Sequence, residues 1–457
     1  MRRGYAFGAV CAAVVLGSAG CGNPAYRAAE RGDSARLRSE IAGKHEQGKL
    51  SNGEAACLAR AVATREVVSA KDDTAATSRI RESRACAAEL DDALEERMKK
   101  HDGAGAEAAL ARLEDGRLED GSARDFLADQ DDRWRAVGTR TLHRDDDRKR
   151  RQSAFLDPSP RVRRSAIRAA GQAKDVADLD LLFESARVDP ELLLRNEALR
   201  AMSQILRANN ARTRAAEHVN RLRDLWTSGD DAIREDIAVA WALSPVFEGG
   251  GREALRVEIA GGRGPGAIAA AGVVLRTAST DAELTTSATS LLVRTITEGS
   301  RRDRLHALSL VLVRVRATSS GPELEAIRKV AKDEDLDVKV PALARLLDSK
   351  PDHDAALKEL EAIAGQGVTT KGGPPSDDGH VREAAARARL ALAQAGDLRI
   401  QAWIEQDLVS TEPNRRLAAA SALAALGRPA RAVMLLADPD ASVRTRAACT
   451  MLVASRR

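Results

Sequence analysis

The side chains in this 457-residue chain that can react or bind a metal are five cysteines, seven histidines and several acidic runs. The histidines, at positions 45, 101, 143, 218, 306, 353 and 380, stand singly, with no HExxH and no cysteine at ligand spacing, so no metal site is assigned. Asp333-x-Asp335-x-Asp337 opens like a calcium loop. Position six is Val338 and position twelve is Ala344, where such a loop requires a turn glycine and a bidentate glutamate. The chain has no GxSxG nucleophile elbow and no GxxxxGK[ST] phosphate loop. The glycine-rich stretch Gly261–Gly266 follows no strand and reads as a turn between helices. No catalytic residue and no cofactor are assigned.

The cysteines carry a second kind of chemistry. The chain opens with Met1-Arg2-Arg3, an apolar run from Gly4 to Leu16, and then Gly17-Ser18-Ala19-Gly20-Cys21. A basic start, a short apolar run and small residues form the layout of a secretory signal, and the run is too short to span a bilayer. Ser18-Ala19-Gly20-Cys21 resembles the lipobox of bacterial lipoproteins. The resemblance implies removal of residues 1–20, acylation of Cys21 and a membrane contact through that lipid; Gly22, in place of an aspartate, implies the outer membrane. Ser18 departs from the pattern, and cleavage after Ala19 with a plain thiol at Cys21 is the alternative. Export would bring the remaining cysteines into an oxidising compartment. Cys57 and Cys86, each on a predicted helix, are then the disulfide candidate, closing a loop of about 30 residues; two separate buried thiols are the alternative. Cys449, in the apolar run Ala447–Ala454, reads as a packed free thiol.

Composition limits what can position these groups. Only 2% of the residues are aromatic while 44% are hydrophobic, with alanine and leucine prominent. Sheets draw on aromatic and β-branched residues, and alanine and leucine are the least costly residues in a helix, so the fold class is all-α. The first block, 21–125, reads as a helical N-terminal domain of degenerate repeats. It has a helix–turn–helix over Ala25–Ile41 turning at Gly32-Asp33, then helices over Glu54–Ala70, Arg79–Lys100 and Ala104–Leu118. The stretch from Arg27 to Ile41 looks like an ankyrin repeat but lacks the Thr-Pro-Leu-His entry.

The second block, 126–457, contains a recurring motif. Its fullest copies are Asp157…Val162-Arg163…Ala166, Asp189…Leu194-Arg195…Ala198 and Asp438…Val443-Arg444…Ala447. Asp333…Val338-Lys339…Ala342 and Asp129…Trp134-Arg135…Gly138 differ at one position each. Ile233-Arg234…Ile237 and Val381-Arg382…Ala385 lack the leading Asp, and weaker copies centre on Ile268, Leu305 and Leu417. Ten such anchors lie 26 to 43 residues apart. Asp-Pro is expected to cap the motif helix, Asp by its carboxylate and Pro within the first turn. Val and Ala four residues apart share one face, and Arg is placed to reach carboxylates or carbonyls of the adjacent repeat. On these residues the chain resembles HEAT-repeat proteins, particularly the short repeats of phycobilisome lyases. The resemblance implies a right-handed α-solenoid of about ten helix pairs with the motif helix on the concave side. A Gly/Pro/Ser/Asp-rich insertion, 365–379, interrupts it.

Between Arg133 and Arg168 there are 12 basic residues and four acids. Arg148-Lys149-Arg150-Arg151 is the candidate patch for an acidic partner or an anionic headgroup; repeat stacking by some of these arginines and a solvated loop is the alternative. Removal of residues 1–20, with two arginines and no acid, lowers the formal charge from +4 to +2. So nearly neutral a chain gives no reason to expect nucleic acid. The expected function is non-enzymatic protein binding or scaffolding in the cell envelope, with an unknown protein partner and no metal. The alternative is a lyase-like or cofactor-handling enzyme on a HEAT scaffold.

Overall fold

Helices joined by short turns account for most of the chain in the computed structural model. It describes residues 23–456 except 48, 71, 209–214, 230, 263, 278–280, 315–319 and 367–378, and no strand occurs among the described residues. Residues 1–20, Cys21 and most of the 365–379 insertion lie outside them. No described helix is long and apolar enough to cross a membrane.

The motif helices form as their sequence dictates, with one correction. Pro160–Ala173 starts at Pro160, and its cap is Ser159, whose side chain accepts the Arg161 N–H. Ala441–Ala454 is capped in the same way by Asp440. The leading aspartates are therefore not the caps. Asp157 and Asp438 stand two residues earlier and accept the backbone N–H of Ser159 (2.8 Å) and Asp440 (2.9 Å). Each fixes an Asx turn that delivers the true cap. Pro158 and Pro439 consequently lie in that turn and not in the helix. Val162, Val338 and Val443 are buried with Ala166, Ala342 and Ala447, which carry the close approach of neighbouring helices. In the Trp134 copy the small residue is Gly138. A Cβ there would stand 2.6 Å from the backbone nitrogen of Leu127, so no side chain fits.

Two compact units result. One runs from Glu119 to Lys358; the other joins Met1–Leu118 to Glu359–Arg457. The divides fall between Leu118 and Glu119 and between Lys358 and Glu359, so residues 126–457 are shared between both units. In the 119–358 unit, Pro160–Ala173 packs on Leu192–Ala208, then Asp231–Trp241, Gly264–Thr277, Arg301–Leu312 and Leu336–Leu346 in succession. A second helix of each pair flanks this row, such as Leu179–Val188 against Leu192–Ala208. This is an all-α stack of helix pairs.

In the discontinuous unit Gly379–Gln394 packs on Pro413–Ala425, which packs on Ala441–Ala454, a row of its own. Its next member is Asn52–Ser69, from the N-terminal block. That block otherwise follows the sequence reading. Gly32 turns at φ +72 and Asp33 caps Ser34–Glu46 by accepting the Arg36 N–H. The expected helix over Arg79–Lys100 is broken, however, into Asp73–Glu82, a 3₁₀ segment Arg84–Leu90 and Asp91–Met98. Cys86 sits at the break with φ −119 and ψ 23.

Candidate functional site

The motif arginines build a ladder between repeats. Arg163 donates Nη1 to the carbonyls of Asp157 and Pro158 at its own turn, both at 3.1 Å. Its Nε and Nη2 form a fork on the Asp189 carboxylate of the following repeat, at 2.8 and 3.1 Å. Arg416 repeats the arrangement. Its Nη1 donates to the Ser410 and Thr411 carbonyls, and its Nη2 donates to Asp438 at 2.9 Å, with Nε 2.7 Å from the other carboxylate oxygen in ion-pair contact. Arg304 reaches Asp333 likewise. The carboxylates of Asp189 and Asp438 are buried, so each needs its guanidinium.

Other copies depart from this scheme. Arg382 meets Glu412 at 3.6 Å, and Arg234 turns back to Asp231 at 2.6 Å and the Gly229 carbonyl at 3.3 Å. Arg195 is half-buried on Leu192–Ala208, beside buried Leu194. Arg444 belongs to the Asp438 copy of the motif. Its Nη1 holds the Asp438 and Pro439 carbonyls, and its Nε donates to Glu66 of Asn52–Ser69 at 2.6 Å. Glu66 takes the place of the leading aspartate, a role the sequence reading missed because the two residues are 378 positions apart.

The same unit corrects the cysteine expectations. Cys86 is bonded to Cys449, with Cα atoms 5.3 Å apart. Cys57 on Asn52–Ser69 is therefore not its partner, and Cys449 is not a free thiol. Around the bridge, Ser442 donates to Glu82 at 2.7 Å, and Arg456 forks onto Glu89, holding that carboxyl below the usual range. Arg38 donates to the Ala437 carbonyl at 2.8 Å.

Two of the four residues of the basic run 148–151 are used within the stack. Arg151 is fully buried and donates to Asp178 at 2.6 Å and to the Leu142 and Arg144 carbonyls at 2.9 and 3.2 Å. Arg148 pairs with Asp175. Lys149 and Arg150 remain exposed. Burial pushes the Glu197 carboxyl up, but hydrogen bonds from Arg164 and Arg168 outweigh it and hold the group below the usual range. Asp178 and Glu197 lie 27 and 33 residues after Arg151 and Arg164, about one repeat, and that period was the signal for finding them.

A groove of about 530 Å³ opens beside the first rung of the 119–358 unit. Arg124, Arg135 and Arg150 line it with Asp157, and Leu127 and Leu142 supply apolar wall. Arg124 is neutralised: its fork holds buried Asp147, with 2.9 Å from Nη1 to Oδ1. Burial pushes the Asp147 carboxyl up, and that fork with the Arg144 N–H more than reverses it. Arg135 donates to the Asp129 and Gln130 carbonyls at 3.0 and 2.8 Å, yet stands 3.8 Å from Asp157. The lyase-like alternative calls for converging cysteine, histidine or carboxylate ligands; among the described residues no group of three or more is arranged to hold a metal.

No family model matches the chain, and no curated protein matches it. Among solved structures the chain is similar to Kap121p, at 12% identity and a TM-score of 0.31 over 92% of this chain and 43% of that one. It is also similar to the karyopherin Kap121p bound to the extreme C-terminus of the protein phosphatase Cdc14p, at 12% identity and a TM-score of 0.31 over 91% and 47% of the respective chains. The chain spans less than half the length of those proteins.

Proposed function

We propose that this protein is a non-enzymatic, protein-binding scaffold of the bacterial cell envelope, exported and held at the outer membrane by lipid on Cys21. The observation that carries the binding reading is the groove beside the first rung, where charged and apolar groups share an open wall of the stack. Its mixture of a few polar groups and an apolar lining is typical of recognition sites. The export reading is supported by the Cys86–Cys449 bridge, because disulfides persist in oxidising compartments. The anchor itself rests on the lipobox resemblance of Ser18-Ala19-Gly20-Cys21, and several acyl chains, at about 0.8 kcal/mol per buried CH₂, hold a protein stably at a bilayer.

Two measurements test this reading. Cys21→Ala is expected to abolish acyl labelling and release the protein from the membrane fraction; unchanged fractionation refutes the anchor. For the scaffold, in-cell crosslinking of the full chain followed by mass spectrometry is expected to give heteroprotein crosslinks on residues 119–358. Crosslinks no more frequent than in an unrelated envelope protein would refute it.

A further inference from the structure

The rungs of the ladder are not equivalent. Arg163 and Arg416 grip the next leading aspartate at 2.7–3.1 Å, whereas Arg135 stands 3.8 Å from Asp157. Side-chain exposure follows the same order, 25% for Arg135 against 15% for Arg163. The space gained is the 530 Å³ groove, and both members of the open rung line it. Arg135 is held by two backbone carbonyls, which fix its direction, and Asp157 stands 3.8 Å away as a loose ion-pair partner. Asp157 is occupied by the Ser159 N–H. On the facing helix Arg150 is exposed and pairs with no carboxylate among the described residues. Lys149 and Arg161, next in sequence to lining residues Arg150 and Val162, are likewise exposed. Leu127, Leu142 and Ala154 complete the wall. Asp125 is the one other acid on it.

We infer that this groove binds an acidic peptide segment of a protein partner. A carboxylate is received between Arg135 and Arg150, completing the rung that Asp157 leaves open, and neighbouring apolar side chains lie on Leu127, Leu142 and Ala154. The inference rests on the scaffold reading and names the chemistry of its partner. Guanidinium favours a carboxylate through forked, charge-assisted hydrogen bonds, and the volume lies within the roughly 300–1,000 Å³ of ligand sites. A flanking excess of cations accelerates capture and makes it salt-dependent.

The test uses the full chain and a fluorescein-labelled, end-blocked peptide of alternating Glu and Leu, followed by anisotropy. Saturable binding is expected, weakening as salt rises. Arg150→Glu, at an exposed position, is expected to weaken it at least tenfold with an unchanged thermal midpoint. A peptide with Gln in place of Glu is expected to bind at least tenfold more weakly. Absent saturation, equal affinity for the Gln peptide, or equal affinity of the Arg150→Glu protein overturns the inference. Displacement of the peptide by phosphatidylglycerol vesicles, with no effect of neutral vesicles, also overturns it and makes the patch a headgroup contact. Crosslinks on residues 119–358 that persist in Arg150→Glu refute this site and leave the scaffold reading standing; their absence in the wild type refutes the scaffold reading itself.

Discussion

An arginine that holds two carbonyls of its own turn and one carboxylate of the next repeat does three tasks with one side chain. It closes the turn, neutralises a buried acid and sets the spacing between repeats. Breaking a buried ion pair from one side leaves a stranded charge, at a cost of about 3–5 kcal/mol. Arg163→Ala is accordingly expected to destabilise the protein by about 3 kcal/mol in urea unfolding, because buried Asp189 loses its fork. Arg163→Lys should recover only part, since an ammonium cannot form the fork; a loss below about 0.5 kcal/mol would place the pair among surface contacts of little consequence. The motif made the arginine and its carboxylate target legible, since both recur with the repeat. The leading aspartate was legible as a turn residue but not in its register. Asp-Pro supports either a cap or an Asx turn two residues upstream, and only the following Ser159 or Asp440 decides between them.

Between elements, acids clamp one motif helix to the next. Glu197 on Leu192–Ala208 accepts from Arg164 at 2.8 Å and Arg168 at 3.0 Å, both on Pro160–Ala173. Its folded pKa is lowered. The clamp therefore contributes fully above the unfolded pKa of a glutamate, about 4.3, and is lost as pH falls through the lower folded value. The thermal midpoint should hold near neutrality and drop below about pH 4. Glu197→Gln is expected to lower it at pH 7 and flatten the acid limb, as measured by circular dichroism melts from pH 7 to pH 3; a limb of unchanged slope would exclude Glu197 as a contributor. Helical periodicity and cap residues made the individual helices legible, Ser34–Glu46 with its Asp33 cap among them. The break at Cys86 was not, because Arg79–Lys100 carries apolar residues at helical spacing and has no proline or glycine. Tertiary contact with Ala441–Ala454 sets the conformation there.

At the scale of the molecule, the discontinuous unit is joined through contacts that no local pattern encodes. Cys86–Cys449 spans 363 positions and Arg444–Glu66 spans 378. Repeat statistics identify neighbours in the chain; they hold no information on which element follows the last copy. A bridge across so long a loop removes much freedom from the unfolded chain and is worth up to about 5 kcal/mol on the entropy model. Dithiothreitol or Cys449→Ser is expected to lower the thermal midpoint by several degrees, with the N-terminal helices gaining hydrogen exchange first. An unchanged midpoint would show that polar contacts such as Arg38 to Ala437 suffice. The order of synthesis adds a consequence. Asn52–Ser69 leaves the ribosome long before the helix it rests on, Ala441–Ala454. Until Ala441–Ala454 is made, Asn52–Ser69 has an uncovered apolar face and Cys86 lacks Cys449, and these helices finish folding only when that helix arrives. A nonsense mutation near the C-terminus would therefore injure the N-terminal helices as much as the repeat it deletes.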